Sequence, residues 1–142
     1  MHTILAPVMA LVAWSLIMLA WLALTRLPAM AKNDIPLAKV PPGGRGQNLE
    51  GVLPDRVNWP SHNYAHLMEQ PVLFYATALV LHAIGPSALA LQLAWTYVGL
   101  RVAHSLWQAL VNTVPIRFMI FSLASACLLG MAYEAIRGVL AM

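Results

Sequence analysis

Four long apolar runs, separated by polar punctuation, organise the chain. Thr3–Thr25 carries no charged residue, and at about 1.5 Å per residue it is long enough to cross a hydrocarbon core of about 30 Å. From Arg26 to Trp59 the chain turns polar, with Pro28, Pro36, Pro41, Pro42 and Pro54 beside Gly43, Gly44, Gly46 and Gly51. That density of breakers excludes a long helix or a regular strand and predicts a loop, either a simple surface connection or a lid over a site. Asn58 or Ser61 then offers a helix cap, with Pro60 in the first turn, and the apolar run continues to Ile84. Pro71 has no N–H to give the Leu67 carbonyl, so a kink is expected there. Gly85-Pro86 punctuates the next boundary, a third run covers about Ser87 to Val111, and Asn112, Thr113 and Pro115 mark a short turn before a fourth over about Ile116–Gly138.

The pattern predicts an all-α integral membrane four-helix bundle, with alternating up and down spans over about 3–25, 60–84, 87–111 and 116–138 and one long loop, 26–59. A cleaved leader is the competing reading of the first run, with Ala29-Met30-Ala31 as its small-residue site. The run is too long for that, and no basic residue precedes it.

Composition agrees with the membrane reading. Of 142 residues, 61% are hydrophobic and only 9% charged, against about 25% charged in soluble domains; mean hydropathy is +0.72. The single polar stretch leaves no room for a separate soluble domain. A net charge of +3 does not signal nucleic acid, because the basic residues are dispersed and read as topology signals. Arg26, Lys32, Lys39, Arg45, Arg56 and Arg117 fall on the long-loop side, while only Arg137 lies opposite. The positive-inside rule therefore puts that loop in the cytoplasm and the termini across the membrane. Cys127 is alone, which excludes an intrachain disulfide or a cysteine metal motif.

Polar residues inside the apolar runs carry the chemistry. His62, His66 and Glu69, at i, i+4 and i+7 and accompanied by Asn63, share one helical face, and Arg101, His104 and Gln108 share another. With Arg117 at the mouth of the fourth span, these faces converge in one leaflet. Counting from the helix ends places Glu69 and Arg101 about 12–16 Å deep. An isolated charge at mid-membrane costs about 2.5–3.5 kcal/mol, so the two are expected to pair with each other. Arg117 remains unneutralised, and a leftover cation in a pocket asks for an anionic ligand. Two other readings stand beside this one. The polar network is structural in a non-enzymatic protein, or binds another small anion; alternatively His62, His66, Glu69 and His104 form a metal site, which the neighbouring arginine disfavours. Tyr64, Tyr75, Tyr97 and Trp107 read as packing aromatics, with Tyr97, one turn from Arg101, the nearest to the network.

The blocks HNYAHLMEQPVLFYA and WTYVGLRVAHSLWQALVNTVPIRFMIF resemble the membrane-associated proteins in eicosanoid and glutathione metabolism (MAPEG), in a small bacterial branch. Span number, loop order and length match over nearly the whole chain. The resemblance implies a homotrimer in a bacterial inner membrane, with glutathione as co-substrate between neighbouring subunits. The implied activity is glutathione transferase or peroxidase chemistry on a hydrophobic electrophile or lipid hydroperoxide. By position, Glu69 corresponds to the second-helix glutamate holding the amino end of glutathione, Arg101 to the third-helix arginine of the same polar network, His104 to a third-helix position that contacts glutathione in some members, and Arg117 to the arginine beside the thiol. Arg26 corresponds loosely to a basic residue used by some members. His62 stands where arginine is frequent, His66 where asparagine is frequent, and Gln108 and Phe121 where several members have tyrosine.

Overall fold

The computed structural model describes residues 3–142. Among them are five α-helices: α1 (Leu5–Lys32), α2 (Asp55–Leu67), α3 (Pro71–Ile84), α4 (Ala88–Leu110) and α5 (Val114–Leu140). Helices α2 and α3 follow one another across a break at Met68–Gln70, so the architecture is four rods running up, down, up and down. Three of the rods, Leu5–Lys32, Asp55–Ile84 and Val114–Leu140, are long and apolar enough to cross a membrane.

The remaining rod, α4, third in chain order, is the inner one, packed against α1, α2 and α5. Its buried stripe Ala90, Ala94, Tyr97, Arg101, His104, Gln108 follows the alternating four-and-three spacing of a helix face. That stripe is small and apolar in its first half and polar in its second. Buried with it in the core are Leu11, Ser15 and Met18 of α1, Leu67 of α2, Phe74, Ala78 and Leu81 of α3, and Ala124, Leu128, Met131 and Ala135 of α5. The exposed surface is apolar: Leu24, Leu73, Phe118, Leu129 and Ile136 are all open, whereas Arg101 is completely buried. A soluble protein arranges these the other way round. With lipid as solvent this arrangement is the stable one, since only the polar groups need to be hidden.

Close approach of the rods depends on small residues. Gly130 on α5 receives Leu93 of α4 so closely that a Cβ there would stand 2.9 Å from the Leu93 Cδ1. The α3–α4 turn relies on Gly85 at φ 90°, a left-handed conformation that costs glycine little. Ser87 then caps α4, its Oγ accepting from the Ala90 N–H at 3.0 Å.

The connection between the first two rods is shorter than the breaker count suggests. Helix α1 continues through Pro28 to Lys32, and α2 starts at Asp55 after Pro54, so the loop covers 33–54 rather than 26–59. Within α1 the proline forfeits one backbone bond, and packing of the flanking turns, with Met30 buried, keeps the helix going. Pro60 likewise lies inside α2 rather than in a first turn, and Asn58 is not a cap. Instead Asn58 is buried, its amide donating to the Leu49 and Leu53 carbonyls at 3.3 and 3.4 Å while its Oδ1 accepts from Arg26 at 3.2 Å. The loop folds back on these contacts through two short 3₁₀ turns, Leu37–Lys39 and Gly46–Leu49.

Candidate functional site

Pro71 sets the geometry of the site. Because it cannot donate to the Leu67 carbonyl, α2 ends at Leu67 and α3 begins afresh at Pro71, leaving the last carbonyls of α2 in need of donors. Arg101 of α4 supplies one. Its Nη2 donates to the His66 carbonyl at 2.9 Å and sits 3.2 Å from the His66 Nδ1. A cation at a helix C-terminus also complements the helix dipole. The break is tied from the other side by Gln70, whose amide donates to Ser125 Oγ at 2.7 Å and whose Oε1 accepts from the Tyr97 hydroxyl at 3.3 Å. Tyr97 stacks on Phe74 at 4.6 Å between ring centroids, so the break is fastened to α3, α4 and α5 together.

One turn from Arg101, the imidazole of His104 lies nearly parallel to that of His66, with 4.9 Å between centroids, and Phe121 of α5 closes on His66 at 5.3 Å. Beside them is Arg117, in the first turns of α5. Asn112 holds it: this residue ends α4 at φ 60°, a conformation asparagine tolerates, and its Oδ1 accepts from the Arg117 Nη1 at 2.6 Å. His66, His104, Arg117, Val114, Phe118 and Phe121 line a cleft of about 170 Å³ whose outer members, Val114 and Phe118, are exposed.

The cleft is cationic. Among the described residues the single ion pair is His62–Glu50, at 3.0 Å on the loop side, so neither Arg101 nor Arg117 touches an acid. The Nε and Nη1 of Arg101, the Nδ1 of His104 and both amide atoms of Asn63 are buried without a partner in the chain. Buried polar atoms in native proteins are nearly always paired, so these are places where a ligand or ordered water belongs.

Several of the expected site residues lie elsewhere. Glu69 does not pair with Arg101: it lies in the break, outside α2, and is exposed, because the helix ends two residues before it. It remains within electrostatic range of Arg101 and His66. His62 does not share the cleft with His66, since it turns to Glu50 in the loop, which also rules out convergence of His62, His66, Glu69 and His104 on one metal. Arg26 belongs to the loop corner with Asn58 rather than to the cleft. Asn63 and Gln108 are buried inside the chain and line no part of the cleft. The structure therefore brings together His66, Arg101, His104 and Arg117. Gln70 and Asn112 were not anticipated as supports. Their positions beside Pro71 and at the end of α4 marked a helix boundary, and each boundary supplied a polar side chain to hold it.

A bundle of membrane-length helices with a cleft at one end lined by Arg117, His66 and His104 and backed by the buried Arg101 defines a class, the polytopic helical membrane proteins. The model of the MAPEG family matches residues 4–137. The chain belongs to that family, and is thereby an integral membrane protein of the glutathione and eicosanoid metabolism superfamily. No match was found among the curated proteins or among the solved structures.

Proposed function

We propose that the chain is a membrane-bound glutathione transferase or peroxidase acting on hydrophobic electrophiles, working as a homotrimer with the site between neighbouring subunits. The observation that carries the reading is an acid-free cleft lined by Arg117 and backed by the buried Arg101, with an exposed carboxylate, Glu69, at the helix break beside it. Glutathione has the complementary charges, two carboxylates and one ammonium. A cleft of about 170 Å³ is smaller than the about 300–1,000 Å³ of sites for molecules of that size. A second subunit supplies the missing wall and covers Glu69. By charge distribution the loop 33–54 faces the cytoplasm and the termini lie across the membrane, which the resemblance to a bacterial branch of the family makes a bacterial inner membrane.

In this reading Arg117 is the catalytic residue. A free thiol titrates near 8.5, and each unit of depression needs about 1.4 kcal/mol, so a mostly ionised thiol at pH 7 requires about 3 kcal/mol. A guanidinium about 4 Å away supplies about 4 kcal/mol at an effective dielectric of about 20. Arginine keeps its charge in such a setting, and Asn112 fixes the fork's direction. Arg101 is the positioning residue: fully buried, it anchors the end of α2 that carries His66 and adds positive potential from behind. The thiolate attacks the substrate carbon, forming a C–S bond as the leaving group departs with the electron pair. With a hydroperoxide it attacks the distal oxygen, the O–O bond breaks, and the alkoxide takes a proton; a second glutathione then yields the disulfide and water.

A structural role for the network has one observation in its favour, the use of Arg101 to cap α2. Conjugation of glutathione to a chlorinated nitrobenzene by purified protein separates the two. The enzyme reading expects activity that falls at least tenfold in Arg117→Ala, and activity unchanged by that substitution removes Arg117 from the chemistry.

A further inference from the structure

A second, larger cavity lies away from the cleft and shares no lining residue with it. It has a volume of about 600 Å³ and sits between the end of α1 and the folded loop 33–54. Its wall carries three cations, Arg26, Lys39 and Arg45, and no acidic side chain; the rest is chiefly apolar, including Leu27, Leu37 and Leu49. The volume is that of a small-molecule site, and the charge is of one sign.

Arg26 marks its inner end. Its Nη2 donates to Asn58 and its Nε is buried without a partner, while the backbone at Gly46 crosses so close that a Cβ there would stand 2.6 Å from Nη1. Lys39 and Arg45 are exposed at the rim. Leu24 and Leu27, one turn apart at the end of α1, are 76% and 48% exposed and continue the apolar lining along the lipid-facing side of that helix; Leu37 is exposed beside them. A cationic rim above an apolar wall that runs into lipid matches one ligand chemistry: an anionic head on an acyl chain.

We infer that this cavity binds an anionic amphiphile, its phosphate or carboxylate held by Lys39 and Arg45 and its chain laid along Leu37 and Leu27. A membrane phospholipid and a free fatty acid both have this chemistry. The site is distinct from the glutathione cleft and does not depend on that reading.

Hydrogen exchange of loop 37–52 in the purified full-length protein tests it, first in nanodiscs of phosphatidylcholine alone and then with phosphatidylglycerol added. Parallel samples in neutral detergent receive oleate or inorganic phosphate. Exchange is expected to slow several-fold with phosphatidylglycerol, with oleate, or with both, and the arm that responds names the source. The slowing is expected to vanish in the Lys39→Gln/Arg45→Gln double variant and to weaken in Leu37→Asn, an exposed position whose change leaves the core intact. It should persist in Lys32→Gln/Arg56→Gln, which removes equal charge outside the cavity. Glutathione binding should be the same in all these variants. No slowing with either amphiphile overturns the assignment, as does equal slowing by phosphate alone or survival of the effect in the Lys39/Arg45 variant.

Discussion

Replacing Arg101 with methionine separates the two roles the structure gives this side chain. The substitution removes the donor to the His66 carbonyl, a charge-assisted bond of about 1.5–3 kcal/mol. It also removes a cation from a helix C-terminus, a further contribution of about 0.3–1 kcal/mol. Against this, the guanidinium is wholly buried with Nε and Nη1 unpaired, and an arginine in such a place costs about 2.5–3.5 kcal/mol. Methionine fills similar length without that penalty. The terms nearly cancel, so the ligand-free protein should keep its stability to within about 1 kcal/mol. Ligand response should not survive. If glutathione binds as proposed, at a hundred times its Kd it should stabilise the wild-type fold by about 2.7 kcal/mol, and loss of the buried cation should abolish most of that gain. Unfolding titrations with a denaturing detergent in mixed micelles, with and without glutathione, measure both quantities. A loss of more than about 4 kcal/mol in the ligand-free variant, or an undiminished glutathione effect, refutes the reasoning.

Three other substitutions probe the supports. Gln70→Leu strands the buried Tyr97 hydroxyl and removes a donor to Ser125, and should destabilise by about 1–3 kcal/mol in the same titration. Asn112→Gly keeps the positive φ without strain while releasing the Arg117 guanidinium; turnover in glutathione conjugation should fall about tenfold or more with stability changed by less than about 1 kcal/mol. Glu50→Gln breaks the exposed pair with His62, which should cost under about 1 kcal/mol and leave glutathione conjugation unchanged. A tenfold drop in that assay would instead place the loop corner in the site.

The bundle was legible because lipid exposure makes the pattern simple: helix-length apolar runs, with polar residues confined to faces that must be hidden. The stripe Arg101–His104–Gln108, read from its spacing as one helical face, is buried along α4. Less legible were the positions that depend on where a helix stops. Pro71 announced a kink, but a kink and a full break differ by three residues of helix, Met68–Gln70, and that difference carries Glu69 out of register with His66 and away from Arg101. Breaker residues also misled at the loop. Pro28 and Pro60 sit inside helices because each forfeits only one backbone bond, while Asn58 and Met30 are buried on their flanks. The pairings of Asn112 with Arg117 and of Glu50 with His62 follow from turn geometry, and no sequence period encodes that.

The central claim is that Arg117 stabilises a thiolate inside the membrane. Ultraviolet difference absorption of glutathione on the purified protein at neutral pH measures this directly. Wild-type protein should develop a thiolate band that saturates with glutathione, and Arg117→Gln should bind glutathione without developing it. A saturating band of equal height in Arg117→Gln, or glutathione bound by the wild type as the neutral thiol, contradicts the account.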